Sequence, residues 1–111
     1  MSTAFLPLGP NATLVAGGSP QAIELAPGSQ GLPTVLYIVN NDPTYTACVN
    51  VAWGEAVDAA FPNSGFDGRG ICVTSKGSAL IKLNSTYQTQ SLWISAIADG
   101  TCRLFITPGV L

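Results

Sequence analysis

Leu92-Trp-Ile-Ser-Ala-Ile-Ala98, then Asp99-Gly100-Thr101, then Cys102-Arg-Leu-Phe-Ile-Thr107, is the stretch that decides how this chain folds. In its first half Leu92, Ile94 and Ala96 share one face, and Trp93, Ser95 and Ile97 share the other. In its second half Cys102, Leu104 and Ile106 alternate with Arg103, Phe105 and Thr107. A period of two is the mark of a strand, because successive side chains point to opposite faces. The intervening Asp-Gly suits a two-residue type I′ turn, so the stretch is predicted to be an antiparallel hairpin, ended by Pro108-Gly109.

The same pattern extends towards the N-terminus. Ile71–Thr74 and Ala79–Leu83 are short β-type runs around Ser75-Lys76-Gly77-Ser78, a tight turn that reads as a second hairpin. Ala47–Trp53 places Ala47, Val49, Val51 and Trp53 on one side and Cys48, Asn50 and Ala52 on the other. Thr34–Asn40 (TVLYIVN) is almost continuously apolar, as expected of a central strand covered on both faces or facing another subunit. Gln21–Ala26 alternates before Pro27-Gly28-Ser29-Gln30-Gly31 breaks it. Seven or eight short strands at this spacing predict one all-β domain, a jelly-roll-like antiparallel sandwich over residues 17–111. Residues 1–16 carry Pro7 and Pro10 with little alternation. They are predicted to be an extended N-terminal arm in which Ala12–Ala16 could add a strand, hinged at Gly17-Gly18. The longest irregular stretch is Gly54–Gly70. Within it Glu55–Phe61 could make one or two helical turns before Pro62 stops them.

Composition agrees with strands and argues against long solvated helices. Ten of 111 side chains are charged, 9 %, against roughly a quarter in ordinary soluble domains. One domain of this length buries about two-thirds of its unfolded surface. The net charge of −2 argues against nucleic-acid binding, and no run reaches the roughly 18 apolar residues of a membrane span. Met1–Pro10 has no basic segment followed by an apolar one, so synthesis in a host cytoplasm without secretion is expected. Cys48, Cys72 and Cys102 are an odd number without C-x-x-C spacing, and buried free thiols are expected of them.

No catalytic, cofactor-binding or metal-ligating set emerges. There is no histidine to act as a base, and Asp42, Asp58 and Asp67 lack calcium-loop spacing. Gly68-Arg69-Gly70 lacks the lysine and hydroxyl residue of a phosphate loop. Trp53 reads as core, sharing a face with Val49 and Val51. Trp93, Tyr37 and Phe105 fall on the opposite parity from their core neighbours. Strands apolar on both faces imply a covered outer surface. Phe5, Leu6, Leu8 and Leu14 of the arm, Phe66 and Arg69 of the long loop, and Trp93 are the candidate partner contacts, towards a homodimer or homotrimer or a large assembly. A sugar-binding module is a rival from another class. It would require an exposed Trp53 or Trp93 beside Asp42, Asn50 or Asn63.

Phe5–Gly9, Val39-Asn40, Trp53-Gly54, Gly77-Ser78, Trp93–Thr101 and Thr107-Pro108-Gly109, taken in order, resemble the plan of small all-β virion proteins of tailed bacteriophages. The resemblance implies a non-enzymatic capsid decoration or cement protein. Such proteins sit on the major capsid protein over capsomer joints, often as dimers or trimers, and hold the shell against internal DNA pressure. It implies the capsid surface as the location, with a tail, head-fibre or connector component as the alternative, and neither nucleic acid nor membrane as partner.

Overall fold

The computed structural model describes residues 5–8, 11–25, 33–55, 71–83 and 90–110. Among them are nine strands: β1 (Leu6–Pro7), β2 (Ala12–Ala16), β3 (Gln21–Leu25), β4 (Val35–Asn40), β5 (Ala47–Trp53), β6 (Ile71–Val73), β7 (Ser78–Lys82), β8 (Leu92–Ala98) and β9 (Cys102–Val110). They form two antiparallel sheets. In the first, β9 lies between β4 and the pair β1 and β2, which follow one another along a single edge, and β7 closes the far side. The second runs β3-β8-β5-β6.

The pairing is nested. β2 pairs with β9, β3 with β8, β4 with β7 and β5 with β6. Lateral contacts of β4 with β9 and β5 with β8 then complete the two sheets. Side chains of period two point into the space between the sheets. Leu14, Leu36, Ile38, Leu104 and Ile106 from the first meet Val49, Val73, Leu92, Ile94 and Ala96 from the second in one buried cluster. Trp53 packs against that cluster, as its parity predicts.

Two expected hairpins are not hairpins. β8 belongs to the second sheet and β9 to the first, so Asp99-Gly100 carries the chain from one sheet to the other. Ser75–Gly77 does the same between β6 and β7. The physical reason is burial. Leu92, Ile94 and Ala96 can face Leu104 and Ile106 across the core only if the two strands stack instead of lying side by side. The turn at 74–77 closes with the Gly77 amide donating to the Thr74 carbonyl at 2.8 Å, and Lys76 takes the left-handed position, φ 58°. At Gly100 a side chain would start 2.5 Å from the Tyr45 ring, so glycine allows the turn to pack under that ring.

The expected arm is also part of the sheet where it is described. Ala12–Ala16 pairs with β9 from Ile106 to Cys102, and Leu14 and Ala16 enter the core. β9 needs a second neighbour, and the alternation of Ala12, Leu14 and Ala16 suits that edge. β9 also runs past the expected stop at Thr107. The Asn41 amide bonds to Arg103, so odd residues of β9 face β4, and Pro108 directs its missing donor to the other side. There the ladder is already interrupted between β1 and β2, and the Pro108 carbonyl still accepts from the Leu8 amide at 2.8 Å.

Cys48 and Cys72 stand opposite each other in the β5–β6 register and form a disulfide. This corrects the expectation of three free thiols; Cys102 alone is free, and buried. The expected helical turns over 55–61 fall outside the described residues except for Glu55, which is exposed.

The nesting sorts the connections by length. Residues 17–20, 41–46, 74–77 and 99–101 are short and share one end of the sandwich. The longer connections, 26–34, 54–70 and 83–91, leave from the opposite end. There Gly54 donates to the Ser91 carbonyl at 2.8 Å, with a φ of 82° that favours glycine.

Candidate interaction surfaces

By strand parity the outer face of the first sheet carries Thr13 and Val15 from β2, Arg103, Phe105 and Thr107 from β9, Val35, Tyr37 and Val39 from β4, and Ser78, Leu80 and Lys82 from β7. The register sets them in rows: Thr13, Phe105, Val39 and Ser78 form one, and Thr107, Tyr37 and Leu80 the next. Phe5 lies against Tyr37 with ring centroids 5.7 Å apart, a tilted aromatic pair. The Thr107 hydroxyl bonds to the Asn11 side-chain oxygen at 2.6 Å and so ties the N-terminal segment to this face. Leu80 is 50 % exposed and Val15 45 %. The charges on these strands' outer face are Lys82 and Arg103, both positive. It is an apolar surface with a basic margin.

The second sheet differs. Parity turns Cys48, Asn50 and Ser95 away from the core, yet Ser95 is fully buried and Cys48 and Asn50 are nearly so. The centre of that outer face is therefore buried in the isolated chain, while Ala22, Glu24 and Cys72 at its margins are exposed. Trp93 lies on it, half-buried, between Glu24 and Ala52 in the register. Glu24 gives its margin an exposed acid.

The candidate contact residues separate accordingly. Phe5 and Leu8 are half-buried at the first sheet, and Leu6 pairs through its backbone with Val110. Leu14 is 4 % exposed and packs inside the sandwich, so it is core and offers nothing to a partner. Phe66 and Arg69 lie outside the described residues. Phe5 and Trp93 sit on different sheets and do not belong to one patch. Leu80 and Val15 were not among the candidates. The alternation within Ser78–Lys82 carries the signal for Leu80, once β7 is known to be an edge.

The short-connection end holds a buried polar network. Asn40 is fully buried at the end of β4. Its amide nitrogen donates to the Tyr45 carbonyl at 2.9 Å and the Val73 carbonyl at 3.0 Å. Its oxygen accepts from the Asp42 amide at 3.0 Å and from the Cys102 thiol at 3.0 Å. One side chain thus joins the β4–β5 turn, β6 and β9. The Asp42 carboxylate is occupied by the Thr44 and Tyr45 amides, at 2.7 and 2.6 Å. Lys76 donates its amide to the Asp42 carbonyl and its ammonium to the Asn41 carbonyl. Among the described residues no three acidic, cysteine or histidine side chains gather into a metal-binding group.

Burial raises the Cys102 thiol above the ordinary cysteine value. The Asp42 carboxylate adds to the rise and the Asn40 hydrogen bond partly offsets it. The unfolded chain then loses this proton before the folded one does, so the contribution is intact below the unfolded pKa and lost as pH climbs above it. Urea midpoints are expected to fall further for the wild type than for Cys102→Ala between about pH 8 and about pH 10. Equal falls would remove the assignment.

A scan against protein-family models found no match to this chain, and a search of the curated proteins found no relative.

Proposed function

We propose that this chain is a non-enzymatic virion structural protein, a capsid decoration or cement protein that docks on the major capsid lattice and self-associates there. The nested strand order carries the reading. We read the eight strand positions, paired from the outside inwards and folded over into two four-position sheets, as jelly-roll-like, an architecture frequent in viral capsid proteins. The Cys48–Cys72 disulfide supports it, since disulfides persist in oxidising surroundings such as the surface of a released particle. The apolar, basic-margined face of the first sheet supplies a docking area, and many modest contacts repeated over a lattice gain avidity.

The decisive experiment is a reconstruction of the whole particle, together with head melting measured with and without the protein. Density on the capsid surface and a higher melting temperature with the protein present are expected. Density confined to the tail would move the protein to the alternative, a tail, fibre or connector component. Jelly rolls also occur in lectins. Trp53 packs against the core and both indoles are only partly exposed, which favours the structural reading over a sugar-stacking platform.

A further inference from the structure

Among the described residues β7 forms one edge of the first sheet, and its hydrogen-bonding phase can be read from the bonds that bracket it. The Asn40 amide donates to the Gly77 carbonyl, and the Leu83 amide to the Thr34 carbonyl. Odd residues of β7 therefore direct their amides and carbonyls to β4, and Ser78, Leu80 and Lys82 direct theirs away from the sheet. No described segment pairs with that side. An open row of this kind is a template for another strand. Leu80, the most exposed large apolar residue described, lies at its centre. A cleft of about 420 Å³ lined by Thr34, Val35, Leu80 and Lys82 lies beside it on the outer face.

The other edges suit pairing less well. β1 and β2 are interrupted between Pro7 and Ala12, and β6 has three residues. β3 presents Glu24 and no large exposed apolar side chain.

We infer that β7 pairs antiparallel with β7 of a second copy of this chain, about a two-fold axis at Leu80. This rests on the self-association in the proposed function and not on its capsid part. In that register Leu80 faces its own copy, and Ser78 faces Lys82 of the second chain at each end. All three outward-facing residues become hydrogen-bonded pairs. Each pair exchanges two bonds, six in total. A slip of two residues in either direction loses one of these pairs and sets Leu80 against Ser78 or Lys82. In the centred register the two Lys82 residues stand about 13 Å apart along the ladder, beyond the screening length at physiological salt. The interface is isologous and joins two four-position sheets into one continuous sheet of eight.

Sedimentation equilibrium of the purified full chain over a concentration series tests this. The expected species is a dimer. Ser78→Asp places a carboxylate opposite Lys82 of the partner twice over and should tighten the dimer about threefold to tenfold, and Ser78→Lys should weaken it by a similar factor. Leu80→Asp sets two like charges on the axis and should give a monomer. Ser78 and Leu80 are exposed, so a wild-type circular dichroism spectrum and a cooperative urea transition will show that the variants fold, while their midpoints shift with the dimer equilibrium. A monomeric wild type, a trimer, or equal effects of Ser78→Asp and Ser78→Lys would overturn the inference. None of those results bears on capsid docking. Conversely, a dimer with the expected charge response that is absent from particles would overturn the capsid reading and leave this one standing.

Discussion

Asn40→Ala is expected to lower the unfolding free energy by about 4 kcal/mol, a large share of the 5–15 kcal/mol typical of a domain. The side chain makes four hydrogen bonds from a fully buried position. Each ordinary bond contributes about 1 kcal/mol net, but a buried partner left without one costs about 1–3 kcal/mol. Alanine would strand the buried Val73 carbonyl and leave the part-buried Tyr45 carbonyl and Asp42 amide without their side-chain partner. The effect should also be regional, because Asn40 joins the β4–β5 turn to β6 and β9. Amide exchange at the 41–46 and 74–77 turns should accelerate more than exchange in β8. Thermal melting should fall by about 20 °C for a domain of this size. Asn41→Ala, at the exposed neighbour whose side-chain oxygen meets only the Lys76 ammonium at 3.4 Å, should stay within about 0.5 kcal/mol of wild type. A loss at Asn40 no larger than at Asn41 would mean that the network does not hold this end of the sandwich.

The strands were legible in the sequence and their partners were not. Period-two alternation of side-chain type located Ala47–Trp53 and Leu92–Ala98 to the residue, although residues on both faces of each are buried. A short polar turn between two such strands fits a hairpin or a crossing between stacked sheets equally well. Asp99-Gly100 therefore suggested the wrong partner for β9. Only the requirement that Leu104 and Ile106 meet Ile94 across the core decides between them, and that is a long-range condition. The N-terminal segment was legible in part: the strand that Ala12–Ala16 could add is present, and its partner was not readable. Pro7, Pro10 and Gly17-Gly18 are features of an arm, and Ala12–Ala16 becomes a strand because β9 offers it an edge. Parity correctly placed Tyr37, Phe105 and Trp93 outside the core. It could not tell that Cys48, Asn50 and Ser95, on the second sheet's outer face, are buried within the chain. The exposed Leu80 depends on the position of β7 in the sheet, which no local pattern encodes.

Breaking the Cys48–Cys72 bond should cost about 3 kcal/mol. The two residues are 24 apart in sequence, and joining them removes from the unfolded chain the freedom of a loop of that length. Their spacing gives no local hint of pairing; the β5–β6 register sets Cys48 against Cys72 after the strands have met. Cys102 does not compete, because it is buried in the other sheet and bonded to Asn40. The expected result is that the reduced chain reaches the same fold with lower stability. In a Cys102→Ala background, guanidinium midpoints with and without a thiol reductant should differ by about 3 kcal/mol, and far-ultraviolet circular dichroism should coincide in the two states. Thiol titration of the denatured wild type should find one reactive sulfur before reduction and three after it. Three before reduction would show that the bond is absent. One before reduction, with no change in midpoint on reducing it, would show that the β5–β6 edge is already constrained when unfolded. Under the proposed function, a chain that folds reduced and gains its last few kcal/mol on oxidation would suit assembly in a reducing cytoplasm and service outside it.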